Sequence, residues 1–345
     1  MPTLKQALDA LNVVINKSRI HLYKPIQIAE ILYRDRIYKD IDLLDLETYR
    51  TQSRKWRDDV CSVLLGRCCT STARFQDNLF EDNAVPPVLI NELAKENRKT
   101  NGGIETYIYK CFFSKYSQIS DALTYCNNAT PETFDVKQFI DSFWNTPGLK
   151  RSVDKIYEIV VYSLFATIIT TLDLRIEISF DADKAGILEE FSDFAKSVIN
   201  IGIDNPTYTQ NARIYRVGVT NAADRGLDMF SNFGPVIQVK HLSLDEELAQ
   251  DIVDSVSSDR IVIVCKDAEQ DIIVHLLNAI GWQSHIQSII TESNLIDWYD
   301  RALKGRFSDI MSAKLLECLR KEIAIEFPSV TDIPEIIRIR NYSFD

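Results

Sequence analysis

Only four of the 345 residues are histidine, and they are widely spread. The seven cysteines follow no regular spacing, and the adjacent Cys68 and Cys69 are not a CxxC pair. A zinc site is therefore not expected. An odd number of thiols also makes a poor disulfide framework, so the expected setting is a reduced, cytoplasmic interior. No GxGxxG or GxxxxGKS/T string occurs, which removes the anchor of the nucleotide-binding folds. No GxSxG elbow occurs either. The longest apolar run, residues 159–172, is interrupted by Tyr162, Ser163 and several threonines. It falls short of the roughly 20 residues of a membrane span. The opening MPTLKQALDALNVV alternates like an amphipathic helix and lacks a cleavage-like segment, so no export signal is expected. Low-complexity tracts and fixed-period repeats are missing.

What remains is an ordinary globular balance, 46% hydrophobic and 26% charged, with enough chain for about two domains. The net charge of −11 argues against a non-specific nucleic-acid coat. It leaves room for an enzyme that keeps its positive charge local.

Two regimes follow along the chain. Residues 1 to about 145 read mainly as helices. One spans 45–66, with Leu46, Tyr49, Trp56, Val60, Val63 and Leu64 facing inward and Gly66 as its stop. A short helix follows in TSTARFQDNLF, capped by Ser71 or Thr72. Another covers 89–97 and ends at the Asn101-Gly102-Gly103 turn, a pairing that fits a helix-turn-helix as well as many other helical domains. Asn145 to Gly148 (NTPG) is the expected boundary, giving a mainly helical domain at 1–146 and a second domain at 147–345. Beyond it, helices at 153–172, 184–200, 245–256, 268–280 and 294–325 alternate with strands at 174–180, 214–220, 227–229, 236–241 and 260–266. The fold class expected is α/β (α+β), a mixed central sheet flanked by helices.

One stretch is odd. In FSNFGPVIQVKHLSL, Gln238 and Lys240 sit two apart within an apolar strand and so share a face. Asp228 lies in TNAADRGLDMF just upstream, and a hairpin brings it beside them. Cleaving a phosphodiester at neutral pH calls for a hard cation that neutralises developing charge and activates water. Mg²⁺ takes oxygen ligands and keeps several waters, so Asp228, the amide oxygen of Gln238 and the carbonyl of Val239 form a sufficient set. Lys240 would orient the attacking water or stabilise the transition state. The bland alternative is a surface salt bridge between Asp228 and Lys240. His241 points to the opposite face and is not assigned as a base.

Asp228, nine residues, then Gln238-Val239-Lys240, within an α/β region, resembles the PD-(D/E)xK nuclease signature. The wider string NAADRGLDMFSNFGPVIQVKHLSL is similar to type II restriction endonucleases of the HaeII-like group. Two departures stand out: Leu227 precedes the acid where Pro is common, and Gln238 stands where Glu or Asp is usual. The resemblance implies Mg²⁺-dependent cutting of double-stranded DNA and a core opened by a helix that lends a further acid. Glu158, in the middle of the mostly apolar KIYEIVVYSLF, is the first choice for that acid. The alternative for Glu158 is a helix-end charge reaching solvent. Glu177 on LRIEISF is its rival, and Asp224 reads as a loop residue.

The N-terminal half holds the candidate DNA reader. Arg50, Arg54, Lys55 and Arg57 make a locally basic turn suited to phosphates. Arg74, Gln76 and Asn78 are of the types that pair with base edges. Lys95, Arg98 and Lys99 form a second basic cluster. The leading reading is a site-specific endonuclease acting as a homodimer on a palindrome. A non-catalytic helical DNA-binding regulator is second, and a small-molecule α/β enzyme third.

Overall fold

The computed structural model describes residues 2–69, 71–217, 227–243, 260–267, 286–328, 330 and 333–344. The expected helices at 245–256 and 268–280, the end of the 214–220 strand and Asp224 lie outside the described residues. The chain forms two compact units, Met1–Ile159 with Leu319–Asp345, and Val160–Val217 with Gly226–Cys318. Among the described residues helix and strand are mixed, in two separate sheets and no closed barrel, an α+β architecture.

The first unit is helical: α1 (Leu4–Lys17), α2 (Tyr23–Ile37), α3 (Arg50–Leu65), α4 (Ala73–Asp77), α5 (Pro87–Lys99), α6 (Gly103–Asn128), α7 (Val136–Asn145) and the first turns of α8 (Val153–Thr171). At its centre, α2 buries every residue from Pro25 to Leu32 and packs against α1, α3, α5 and α6. A helix buried all round must satisfy its polar side chains internally. Gln27 receives Ser53-side and Arg57-side bonds: its amide donates to Ser53 Oγ at 2.9 Å and its oxygen accepts from Arg57 at 2.9 Å. Glu30 accepts both Arg340 terminal nitrogens and the Tyr109 hydroxyl. The C-terminal segment is thereby tied into this unit, with Tyr342 donating to the fully buried Glu105.

The 45–66 helix starts later than expected, after a single 3-10 turn at Leu46–Thr48. Its buried stripe is Ser53, Arg57, Val60, Cys61, Leu64 and Leu65. Val63 is 53% exposed, because it lies off that stripe while Arg57 lies at its centre. Thr72 is the cap of α4, accepting from Phe75 N.

The second unit contains a two-stranded antiparallel sheet, β1 (Arg175–Ser179) with β2 (Thr207–Asn211). It also contains a five-stranded sheet in the order β3 (Ile214–Arg216), β4 (Met229–Ser231), β5 (Val236–Ser243), β6 (Ile261–Lys266), β7 (Ile286–Thr291). The first three strands pair antiparallel and the last three parallel, so the sheet is mixed as expected. β6, IVIVCK, is apolar and buried on both faces over its first five residues, as a central parallel strand should be. The helix expected at 184–200 is broken instead: Ala185–Glu190 stops at Phe191, and a π turn at Ala195–Ile199 ends at Asn200 in the left-handed region. The 294–325 helix is two, Glu292–Lys304 and Ser308–Glu326. Thr291 and Asn294 form a capping box on the first, and a side chain at Gly305 would meet the Arg301 carbonyl oxygen at 2.4 Å. All seven cysteines are free thiols. Among the described residues, no helix is long and apolar enough to cross a membrane.

Candidate active site

The site is built on the ribbon of β4 and β5. Met229 faces Ile237 and Phe230 faces Val236 in antiparallel register. The connecting turn is closed by Ser231, whose main-chain N–H and hydroxyl both donate to the Pro235 carbonyl, at 3.0 and 2.8 Å. Gly234 holds φ +122°, a conformation that L side chains rarely adopt. Continuing the ladder by one residue sets Asp228 across from Gln238, and opposite residues of an antiparallel pair share a face. Strand alternation puts Lys240 on the face of Gln238.

Asp228 is half-buried, and its Oδ2 accepts the Val239 main-chain N–H at 2.8 Å. The N–H and C=O of one strand residue project to the same edge, so the Val239 carbonyl looks toward Asp228 as well. Gln238 is 1% exposed, and its Oε1 has no hydrogen-bond partner among the described residues. An amide oxygen buried in that way costs on the order of 1–3 kcal/mol and calls for an explanation. Just past it, the pairing of β5 with β6 loses register between Val239 and Ser243. Irregularities of this kind re-aim groups beside active sites. The Asp228 carboxylate, the Gln238 amide oxygen and the Val239 carbonyl belong to neighbouring or facing residues at one end of the ribbon. They are hard donors with a single negative charge, a set that suits a divalent cation retaining several waters. Among the described residues, no group of three or more His, Cys, Asp or Glu side chains could hold a metal. His241 is half-buried on the face opposite Lys240.

Residues 5–342 match the family model for HaeII restriction endonuclease. The chain belongs to the HaeII restriction endonuclease family. It is 54% identical to the type II restriction enzyme HaeII of Haemophilus aegyptius over 345 residues, 99% of this chain and 98% of that one. It is also 54% identical to the type II restriction enzyme NgoBI of Neisseria gonorrhoeae, over 96% of this chain and 94% of the relative. No solved structure matches.

Within this family member the other expected residues are distributed unevenly. Glu158 does not reach solvent. It is 3% exposed in α8, and Lys155 donates to its Oε2 at 2.5 Å. Glu177 is exposed on β1, in the two-stranded sheet and apart from the sheet that carries Asp228 and Gln238. The basic turn of α3 is largely neutralised by its own fold. Arg50 pairs with Asp77 at 2.9 Å and Glu47 at 3.3 Å, and Arg54 approaches Asp77 at 4.0 Å. Lys55 is exposed without a partner among the described residues.

Two of the expected DNA contacts require correction. Arg57 is 1% exposed and spends its donors on Gln27, Gln76 and Asp58. Gln76 is also buried, accepting from Arg57 and donating to the Ser71 carbonyl. Both are internal braces of the helical unit, because Arg57 occupies the inward stripe of α3. Arg74 is exposed and unpaired among the described residues. Asn78 accepts from Lys24, a residue that the sequence reading passed over. Lys99 is exposed and pairs with Glu96 at 3.5 Å, Lys95 pairs with Glu92, and Arg98 pairs with Asp35.

Proposed function

We propose that this chain is a sequence-specific endonuclease of the type II restriction kind, hydrolysing phosphodiester bonds of double-stranded DNA at a short palindromic site. Its near full-length match to enzymes named type II restriction enzymes supports the class. The observation that carries the site assignment is the buried Gln238 oxygen, without a partner among the described residues, one residue from the Val239 N–H that the Asp228 carboxylate accepts.

In this reading the site is a PD-(D/E)xK arrangement with Gln in the usual acid position. Asp228, Gln238 and Val239 would hold the ion, Mg²⁺. Such an ion would supply charge neutralisation at the scissile phosphate and a more acidic water. The Lys240 ammonium orients the attacking water and offsets charge on the phosphorane-like transition state. Residues 1–146 serve DNA recognition and 147–345 the cut. Arg54, Lys55, Arg74, Asn78 and Lys99 remain the DNA-facing set, with Arg57 and Gln76 removed from it. A palindrome is met by two-fold protein symmetry, so the working form is a homodimer. Seven free thiols suit a reducing, cytoplasmic compartment.

Incubation of a plasmid with the protein and Mg²⁺ tests the proposal. Discrete fragments that vanish with EDTA support it. Binding without cutting points to a non-catalytic regulator instead.

A further inference from the structure

The clusters that look basic in the sequence are cancelled by the fold, whereas cations scattered along the chain are gathered by it. Within the first unit a cavity of about 650 Å³ is lined by five basic side chains, Lys17, Arg19, Lys24, Arg67 and Lys155, against two acids, Glu81 and Glu326. The chain as a whole carries a net charge of −11, so this excess runs against its average. Lys155 is spent on Glu158. Lys17 and Arg19 are exposed and have no ion-pair partner among the described residues. Lys24 donates to the neutral Asn78 and stands 4.3 Å over the Phe75 ring, which is 47% exposed. Half-burial lowers the Lys24 pKa, the cost of holding a cation without a carboxylate in contact.

Arg67 is fixed rather than free. It donates to the Ile325 and Glu326 carbonyls and to His21, and its buried Nε has no partner among the described residues. The His21 ring is neutral, with burial and the neighbouring Arg67 pulling its pKa down to about 3, so it adds no charge of its own. The start of α2 opens on the same cavity at Leu22, Tyr23 and Lys24. Leu22 provides no side-chain cap hydrogen bond there.

We infer that this cavity is a docking groove for the DNA backbone, in which Lys17, Arg19 and Lys24 take phosphate oxygens and Phe75 packs on the adjoining sugar. The inference rests on the endonuclease reading and adds to it a phosphate-binding surface remote in sequence from the cutting residues. These residues position DNA and touch no reacting atom.

The test measures binding of a random-sequence 30-bp duplex across a salt series, alongside plasmid cleavage with Mg²⁺. Each phosphate contact adds about 0.9 to the slope of log K against log salt. Lys17→Ala/Arg19→Ala/Lys24→Ala is expected to make that slope shallower by about 2–3 and to weaken binding roughly tenfold or more at 0.1 M salt. Cleavage at saturating plasmid stays near the wild-type rate, so the loss appears in KM. Lys17→Ala/Arg19→Ala, which alters only exposed side chains, is expected to reproduce about two-thirds of the slope change. Lys137→Ala/Lys304→Ala, two exposed cations with carboxylate partners, leaves the slope unchanged. If the wild type cuts plasmid and the first two variants keep its slope, the groove assignment is wrong and the endonuclease reading stands. If the wild type neither binds nor cuts, both fall together.

Discussion

Asp228 and Val239 are joined by a 2.8 Å hydrogen bond from the Val239 main-chain N–H to the Asp228 carboxylate. Ten residues separate them in the chain, and the ribbon turn at Gly234 brings them together. The bond puts the acid at the edge of β5, next to Gln238, whose buried oxygen has no partner among the described residues. The first expectation concerns that oxygen. Gln238→Leu keeps the volume and removes a buried group that makes no hydrogen bond, so thermal stability should hold or rise. Cleavage should fall by roughly 10² or more, as when a group stabilising transition-state charge is removed. Gln238→Glu restores a second carboxylate and should lower the Mg²⁺ concentration needed for half-maximal cleavage. Thermal melts and Mg²⁺ titrations of plasmid cleavage check both.

The turn itself should be sensitive. Gly234 holds φ +122°, and a methyl group there would meet the Arg260 guanidinium at 3.2 Å. Gly234→Ala should cost about 1 kcal/mol or more through strain at positive φ. Because the ribbon aligns Asp228 with Gln238, cleavage should drop further than the stability loss explains. Comparing the urea midpoint with the cleavage rate separates the two.

Arg57 and Glu30 are predicted to matter for stability. Arg57→Ala strips Gln27 and Gln76 of a buried partner, and unsatisfied buried groups cost about 1–3 kcal/mol each. Glu30→Ala leaves Arg340, 5% exposed, as an uncompensated buried charge, at about 3–5 kcal/mol. DNA affinity per folded molecule should be unchanged in Arg57→Ala, the reverse of what a phosphate contact predicts. Denaturant unfolding alongside duplex binding checks both variants.

His21 predicts a pH dependence. Its pKa is depressed from 6.5 to about 3, first by burial and then by Arg67. The unfolded chain therefore binds one more proton than the folded chain between those values. By linkage this contribution is fully present above pH 6.5 and is lost as pH falls toward 3. His21→Gln should flatten the stability profile across that window relative to the wild type, measured by urea unfolding at stepped pH.

The residues explain which parts of the fold could be read in advance. β6 was legible because an unbroken β-branched run has few homes other than a central parallel strand. The β4–β5 ribbon was legible because Gly234-Pro235 punctuates it and Gln238 and Lys240 violate its apolar pattern. β2, TYTQN, was not, since polar strand residues carry little periodic signal. The break at Phe191 was hidden because residues 184–200 have no proline to mark it. Arg57 misled for a related reason: charge predicts exposure until buried partners from another helix are known. The groove of Lys17, Arg19 and Lys24 could not have been seen in a window, because its remaining wall is contributed by residues near 67, 75 and 326.

The central claim is that one acid on the ribbon is indispensable to cutting and dispensable to holding DNA. The direct measurement is plasmid cleavage with Mg²⁺ by wild type and Asp228→Ala, with duplex binding of both followed in the same buffer. The account predicts discrete fragments from the wild type, none from the variant, and binding retained by both. Fragments produced by Asp228→Ala at the wild-type rate would contradict it.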